Sequence, residues 1–177
     1  TATLSASVPG VSLSPDSIDV RNGLGTALVT VGGGSGGTPL SLLPTGSIWK
    51  YLDDGSDQGT AWRAPGYDDN AWAAGPAQLG YGDGDEDTEV GFAGPINNKS
   101  ATTYFRTEFE VADASAITGL TVDLVYDDGA AIYLNGVEIA KTPNMTSDLA
   151  FDEYSDGDSP GDDATIQFSG ISPALLV

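Results

Sequence analysis

Apolar side chains recur at every second position along much of this chain. Leu120, Val122, Leu124 and Tyr126 share one face of an extended segment, the signature of a strand with one buried side. Residues 102–111 repeat it: Phe105, Thr107, Phe109 and Val111 are expected inward, Tyr104, Arg106, Glu108 and Glu110 outward. Two further β runs, 131–134 and 137–140, flank Asn135-Gly136, which predicts a hairpin with a type I′ turn. Residues 48–52 and 165–168 read as additional strands. No segment carries a 3.6-residue period, so the chain is read as all-β.

The first thirty-one residues follow the same rule in shorter pieces. Ala2, Leu4, Ala6 and Val8 alternate, then Val11 and Leu13, then Ile18 and Val20; after an Asn22-Gly23 turn come Ala27, Val29 and Val31. Residues 32–39, Gly-Gly-Gly-Ser-Gly-Gly-Thr-Pro, have linker composition. The expected organisation is a β arm or remnant of a preceding β domain over 1–31, a linker over 32–39, and a β-sandwich over 40–177. So short an arm cannot build a sandwich of its own. It must pack on the body, on a neighbouring domain, or on another copy.

Composition narrows the partners. With 26 acidic residues against 6 basic ones the net charge is −20, which repels nucleic acid and anionic membranes. Divalent cations, neutral glycans and other proteins remain; acidity that only keeps a secreted chain soluble is the plainer reading. The chain has no Cys and no His, which removes disulfides, thiolate nucleophiles and His-dependent triads. No apolar run reaches the roughly 18 residues of a membrane span. The first residues lack a signal-peptide pattern, so any such peptide is expected to be gone. The expected location is extracellular or at the cell surface.

Three acidic stretches have the oxygen-rich make-up that Ca²⁺ takes. They are Asp83, Asp85, Asp87 and Glu89; Asp53, Asp54 and Asp57; and Asp156, Asp158, Asp162 and Asp163. The alternative for each is a solvated turn. Trp62, Trp72 and Tyr67, with Trp49 and Tyr81, have faces that suit a sugar ring, or serve as core and loop anchors. No carboxylate pair stands out as a glycosidase couple, so a non-enzymatic role is expected. Asn98-Lys99-Ser100 and Asn144-Met145-Thr146 match the N-glycosylation pattern in loop contexts.

Several of these segments together resemble a galactose-binding-like, jelly-roll module of large secreted bacterial proteins. They are Trp49-Lys50-Tyr51-Leu52-Asp53-Asp54-Gly55, Tyr67-Asp68-Asp69-Asn70-Ala71-Trp72, Gln78-Leu79-Gly80-Tyr81, Thr103-Tyr104-Phe105-Arg106, and Asp127-Asp128-Gly129-Ala130 through Tyr133-Leu134-Asn135-Gly136. The likeness spans about residues 45–177. It implies a jelly-roll sandwich, a structural Ca²⁺, and an Asp-Asp-x-x-Trp element that pins a loop to the sheet.

Two departures from that pattern shape the functional expectation. The pattern continues into another strand where this sequence ends at Ala174-Leu175-Leu176-Val177, so the sandwich is expected to lack a terminal strand. The arm is a spare set of strands, and an open edge plus a spare strand invites donation between copies. The expectation is a non-catalytic extracellular structural or adhesive subunit, assembling into a filament or surface layer by β-arm exchange and Ca²⁺ bridging. The alternative is a carbohydrate-binding accessory module of a secreted enzyme.

Overall fold

The computed structural model describes residues 16–21, 25–33, 40–82, 84–145, 150–161 and 164–177, the first two segments by backbone placement alone. The alternation read at 120–126 is realised in β9 (Ile117–Tyr126), whose Leu120, Val122, Leu124 and Tyr126 are buried. Antiparallel neighbours flank it: β12 (Ala164–Ile171) on one side and β2 (Gly25–Gly33) on the other. Beyond β2 lie β3 (Leu40–Leu43) and β6 (Leu79–Gly80), which pair with successive stretches of it, and then β7 (Thr88–Glu89).

The second sheet has the order β11 (Val137–Lys141), β10 (Gly129–Leu134), β1 (Asp16–Arg21), β8 (Thr103–Thr107), β4 (Ile48–Leu52), β5 (Ala73–Pro76). The predicted hairpin is present as β10–β11, with Asn135 and Gly136 at φ 50° and 84°, as a type I′ turn requires. The inner faces of both sheets meet in one core. Trp49, Phe105, Ile132 and Leu134 come from one side, Leu79, Val122 and Leu124 from the other. The chain is thus an all-β, two-sheet protein.

Two expectations need correction. Residues 102–111 do not form one strand with a wet face: β8 stops at Thr107, and Tyr104 and Arg106 are buried. The reason is a third layer. The segment between β4 and β5 folds back over the outer face of the second sheet and covers it with Trp62, Tyr67 and Trp72. Gly32 and Gly33 are not linker but the end of β2, aligned with Gly119 and Ile117. Both described sheets run on from strand to strand without an internal gap, and β12 forms the end of the first. β1 sits between β10 and β8, and β2 between β9 and the β3/β6 pair. The last residues pack on the sandwich, with Leu176 buried and Asn135 Nδ2 donating to Leu175 O at 2.8 Å. Residues 1–15, where the earlier arm strands were expected, lie outside the described residues.

Candidate functional site

Two groups of side chains stand apart from the core. The first is the covered outer face of the second sheet. β8 and β10 project Tyr104, Arg106 and Tyr133 outward, and a short 3₁₀ turn, Ala61–Arg63, lowers Trp62 between them. Trp62 meets Tyr104 edge-on at 4.8 Å and Tyr133 at 5.7 Å, and Trp72 meets Tyr67 at 5.9 Å. Arg106 is 1% exposed. Its Nε donates to Asp69 Oδ2 at 3.1 Å, its Nη1 donates to the Trp62 carbonyl, and Lys50 Nζ donates to the other oxygen of Asp69. Burial opposes ionisation of Asp69. The hydrogen bonds and charges of Lys50 and Arg106 outweigh that, and its carboxyl is held below the ordinary aspartate range.

The expected ligand aromatics sit in this layer. Trp62, at 2% exposure, offers no face to solvent. Tyr67 and Trp72 are half-buried and engaged with each other, and Tyr67 Oη donates to Gln58 Oε1 at 2.8 Å. Both pack against the cluster of Trp62, Tyr104 and Tyr133. A recess of ≈ 390 Å³ remains over Trp62, Tyr104, Tyr133 and Phe151, rimmed by Asp57 and Asp152 and by Arg63, whose guanidinium lies 4.4 Å from the Tyr133 ring.

The second group is an acidic corner where the β9–β10 turn meets the third acidic stretch. Asp127 Oδ1 accepts from Ser159 Oγ at 2.7 Å. Asp128 is half-buried with a left-handed backbone, φ 61°. Burial, then the charges of Asp127 and Asp158, push its carboxyl up to about 6. Tyr81 is pushed up to about 12 by burial and by Asp128 and Asp127, while Lys99 Nζ sits 4.2 Å over its ring. The signal for this corner was the Asp127-Asp128 pair itself, read only as part of the resemblance and not as a cation candidate.

A folded-state pKa raised above the unfolded value means that the folded state binds that proton more tightly. Stability from Asp128 is therefore fully present below about pH 4 and lost as pH rises through about 6. Asp128→Asn, which also suits a left-handed backbone, is expected to stabilise the protein at pH 7 by about 1 kcal/mol, allowing for solvent screening. It should flatten the pH dependence of urea midpoints between about pH 4 and 7. An unchanged slope would show that Asp128 is not the titrating group.

The predicted calcium ligands are mostly dispersed. Asp54 accepts from Ser56 N and Oγ and Asp57 from Gly59 N, each capping its own turn, while Asp53 accepts from Gly91 N and ties its loop to a distant one. Asp85 and Asp87 are exposed and share a recess of ≈ 340 Å³ with Asp123; Glu89 is exposed on β7. Asp156 and Asp158 are exposed beside the acidic corner, while Asp83, Asp162 and Asp163 lie outside the described residues. Among the described residues no three acidic side chains converge closely enough to hold a metal ion. Of the two sequon asparagines, Asn98 is exposed. Asn144 is not available as expected: its Nδ2 donates to Asp128 O and to Gly157 O, the latter at 2.9 Å, and its Oδ1 accepts from Thr142.

No protein-family model matches the chain, and no curated protein and no solved structure matches it.

Proposed function

We propose that this chain is a non-catalytic extracellular structural and adhesive subunit, a jelly-roll sandwich of the galactose-binding-like kind that assembles by exchanging its N-terminal strands between copies. The observation that carries this reading is the position of β1 and β2. The N-terminal segment gives one interior strand to each sheet, and only residues 34–39, Gly-Ser-Gly-Gly-Thr-Pro, connect it to the rest. A strand that completes its own sandwich completes that of an identical neighbour with the same register. Bridging Ca²⁺ fits a chain of net charge −20. Among the described residues no three acids of one copy converge on a metal ion, so the bridging Ca²⁺ draws its ligands from both copies, with Asp128, repelled by Asp127 and Asp158, as one candidate.

The absence of cysteine makes the test clean. Thr30 and Thr121 are aligned across β2 and β9, so Thr30→Cys with Thr121→Cys places the only two thiols beside each other. Exchanged arms give disulfide-linked multimers on a non-reducing gel, in particles that shrink when Ca²⁺ is chelated. Disulfides formed only within single chains, in a protein monomeric with and without Ca²⁺, would overturn the reading.

A second reading keeps one observation in its favour. The recess beside the half-buried Phe151, with Arg63 and the exposed Asp57 and Asp152 at its rim, combines an apolar wall with carboxylates that accept from sugar hydroxyls. A monomer whose tryptophan fluorescence responds to sugars would favour a carbohydrate-binding accessory module instead.

A further inference from the structure

Residues 150–161 join the two groups of side chains that stand apart from the core. At one end Phe151 packs on Trp62, Tyr104 and Tyr133 and walls the recess of ≈ 390 Å³. At the other, Ser159 rests on the β9–β10 turn. The segment has no strand or helix of its own, and none of its side chains is buried. Beyond Phe151, polar contacts hold it. Tyr154 Oη donates to Lys99 O at 2.6 Å, Asp156 N to Asn144 O at 2.7 Å, Asn144 Nδ2 to Gly157 O at 2.9 Å, and Ser159 Oγ to Asp127 Oδ1 at 2.7 Å. Gly129 lets the segment lie close to β10, since a Cβ there would stand 3.0 Å from Ser155 Cβ. A segment with so few buried apolar contacts can open while the rest of the fold stays closed.

We infer that residues 150–161 are a strap that closes the aromatic recess when salt screens the acidic corner and lifts off it when the corner's charges act unscreened. The same carboxylates that hold the strap also repel it. Asp127 accepts from Ser159, and the Ser159 backbone is bonded to Asp128, yet Asp127 and Asp158 both repel Asp128, with Lys99 the cation that opposes them. The strap brings Asp152, Glu153 and Asp156 to the same side of the balance. β9 and β10 are fixed by their ladders and buried faces, so the repulsion is relieved where least is lost, at the strap. Lifting it takes Phe151 from the recess and uncovers the edges of Tyr104 and Tyr133. The inference gives the recess a regulated entrance. It rests on the glycan reading only for what enters.

Amide hydrogen exchange near neutral pH tests it, at about 0.01 M and about 1 M sodium chloride, where the screening length falls from about 30 Å to about 3 Å. Strap amides should exchange at least tenfold faster at low salt, while β9 and β10 amides keep their rates. Asp158→Asn, at an exposed position, removes one repelling charge and should slow strap exchange at low salt and flatten the salt response. Ser159→Ala removes a tie and should speed it at both salts. Acrylamide quenching of tryptophan fluorescence reads the recess, because Trp62 and Trp72 lie in the layer on which Phe151 packs. Quenching should rise at low salt in the wild type and not in Asp158→Asn. Strap exchange indifferent to salt, or β9 and β10 amides that quicken equally, would overturn the inference. So would a strap that responds while quenching does not, since Phe151 would then stay in place. None of these readouts uses a sugar. A salt-driven strap in a protein that ignores sugars would remove the glycan reading alone.

Discussion

Replacing Arg106 by methionine is expected to destabilise the protein by about 3–5 kcal/mol, the cost of removing one member of a buried ion pair. The guanidinium holds three things at once: Asp69, the carbonyl of Trp62, and through Asp69 the ammonium of Lys50. Without it Asp69 keeps one partner and the Trp62 carbonyl loses its donor, so the layer over Tyr104 and Tyr133 loses its anchor. Domain stabilities are about 5–15 kcal/mol, and a loss of this size leaves little margin. Urea unfolding followed by near-ultraviolet circular dichroism measures it, because Trp62 and Trp72 sit in the affected layer. The pair also dictates a pH effect. Asp69 titrates below its ordinary value, so its contribution is present above about pH 4 and lost as pH falls through the depressed folded-state pKa. Replacing Asp69, Arg106 and Lys50 together by apolar residues of similar volume should recover most of the loss. A triple variant no better than Arg106→Met would show that the polar geometry, and not the stranded charge, holds the layer.

The same cluster marks where the sequence stops being readable. Alternation predicts a face correctly when the opposite face meets water. β9 satisfies that condition and its buried positions were all legible. β8 does not: Tyr104 and Arg106 alternate with Phe105 as a polar face does, but Trp62, Tyr67 and Trp72 cover them from a segment about forty residues earlier in the chain. The carboxylates are hard to read for another reason. Acidic spacing was visible, but Asp54 and Asp57 spend their oxygens on backbone N–H groups two residues on, a use that short-range Asp chemistry favours in turns. The corner at Asp127, Asp128 and Asp158 forms only when the β9–β10 turn and the third acidic stretch come together, which no local pattern announces. The hairpin at Asn135-Gly136 was legible because turn chemistry and flanking alternation agree there.

Deleting residues 1–33 is expected to abolish folding, and not merely assembly. An arm lying on a finished surface would be dispensable. This one places β1 between two strands, with five aligned positions on each side, and β2 against β9 over nine. An antiparallel ladder carries about one hydrogen bond per aligned pair, each worth about 1 kcal/mol net. The β2–β9 ladder alone is therefore comparable to the about 5–15 kcal/mol that holds a domain together. The truncated chain should lack cooperative unfolding and expose the faces of Phe105, Ile132, Val122 and Leu124 to apolar dyes. Deletion therefore cannot separate a structural subunit from a sugar-binding module, since it removes the sandwich that both require. Addition in trans can. A synthetic peptide of residues 16–33 should restore cooperative unfolding to the truncated chain, with a midpoint that rises with peptide concentration. Recovery would demonstrate that the arm seats without a covalent connection, the physical requirement for exchange between copies. Folding of the truncated chain without peptide would mean that the body closes around the gap, and would remove the basis for strand donation.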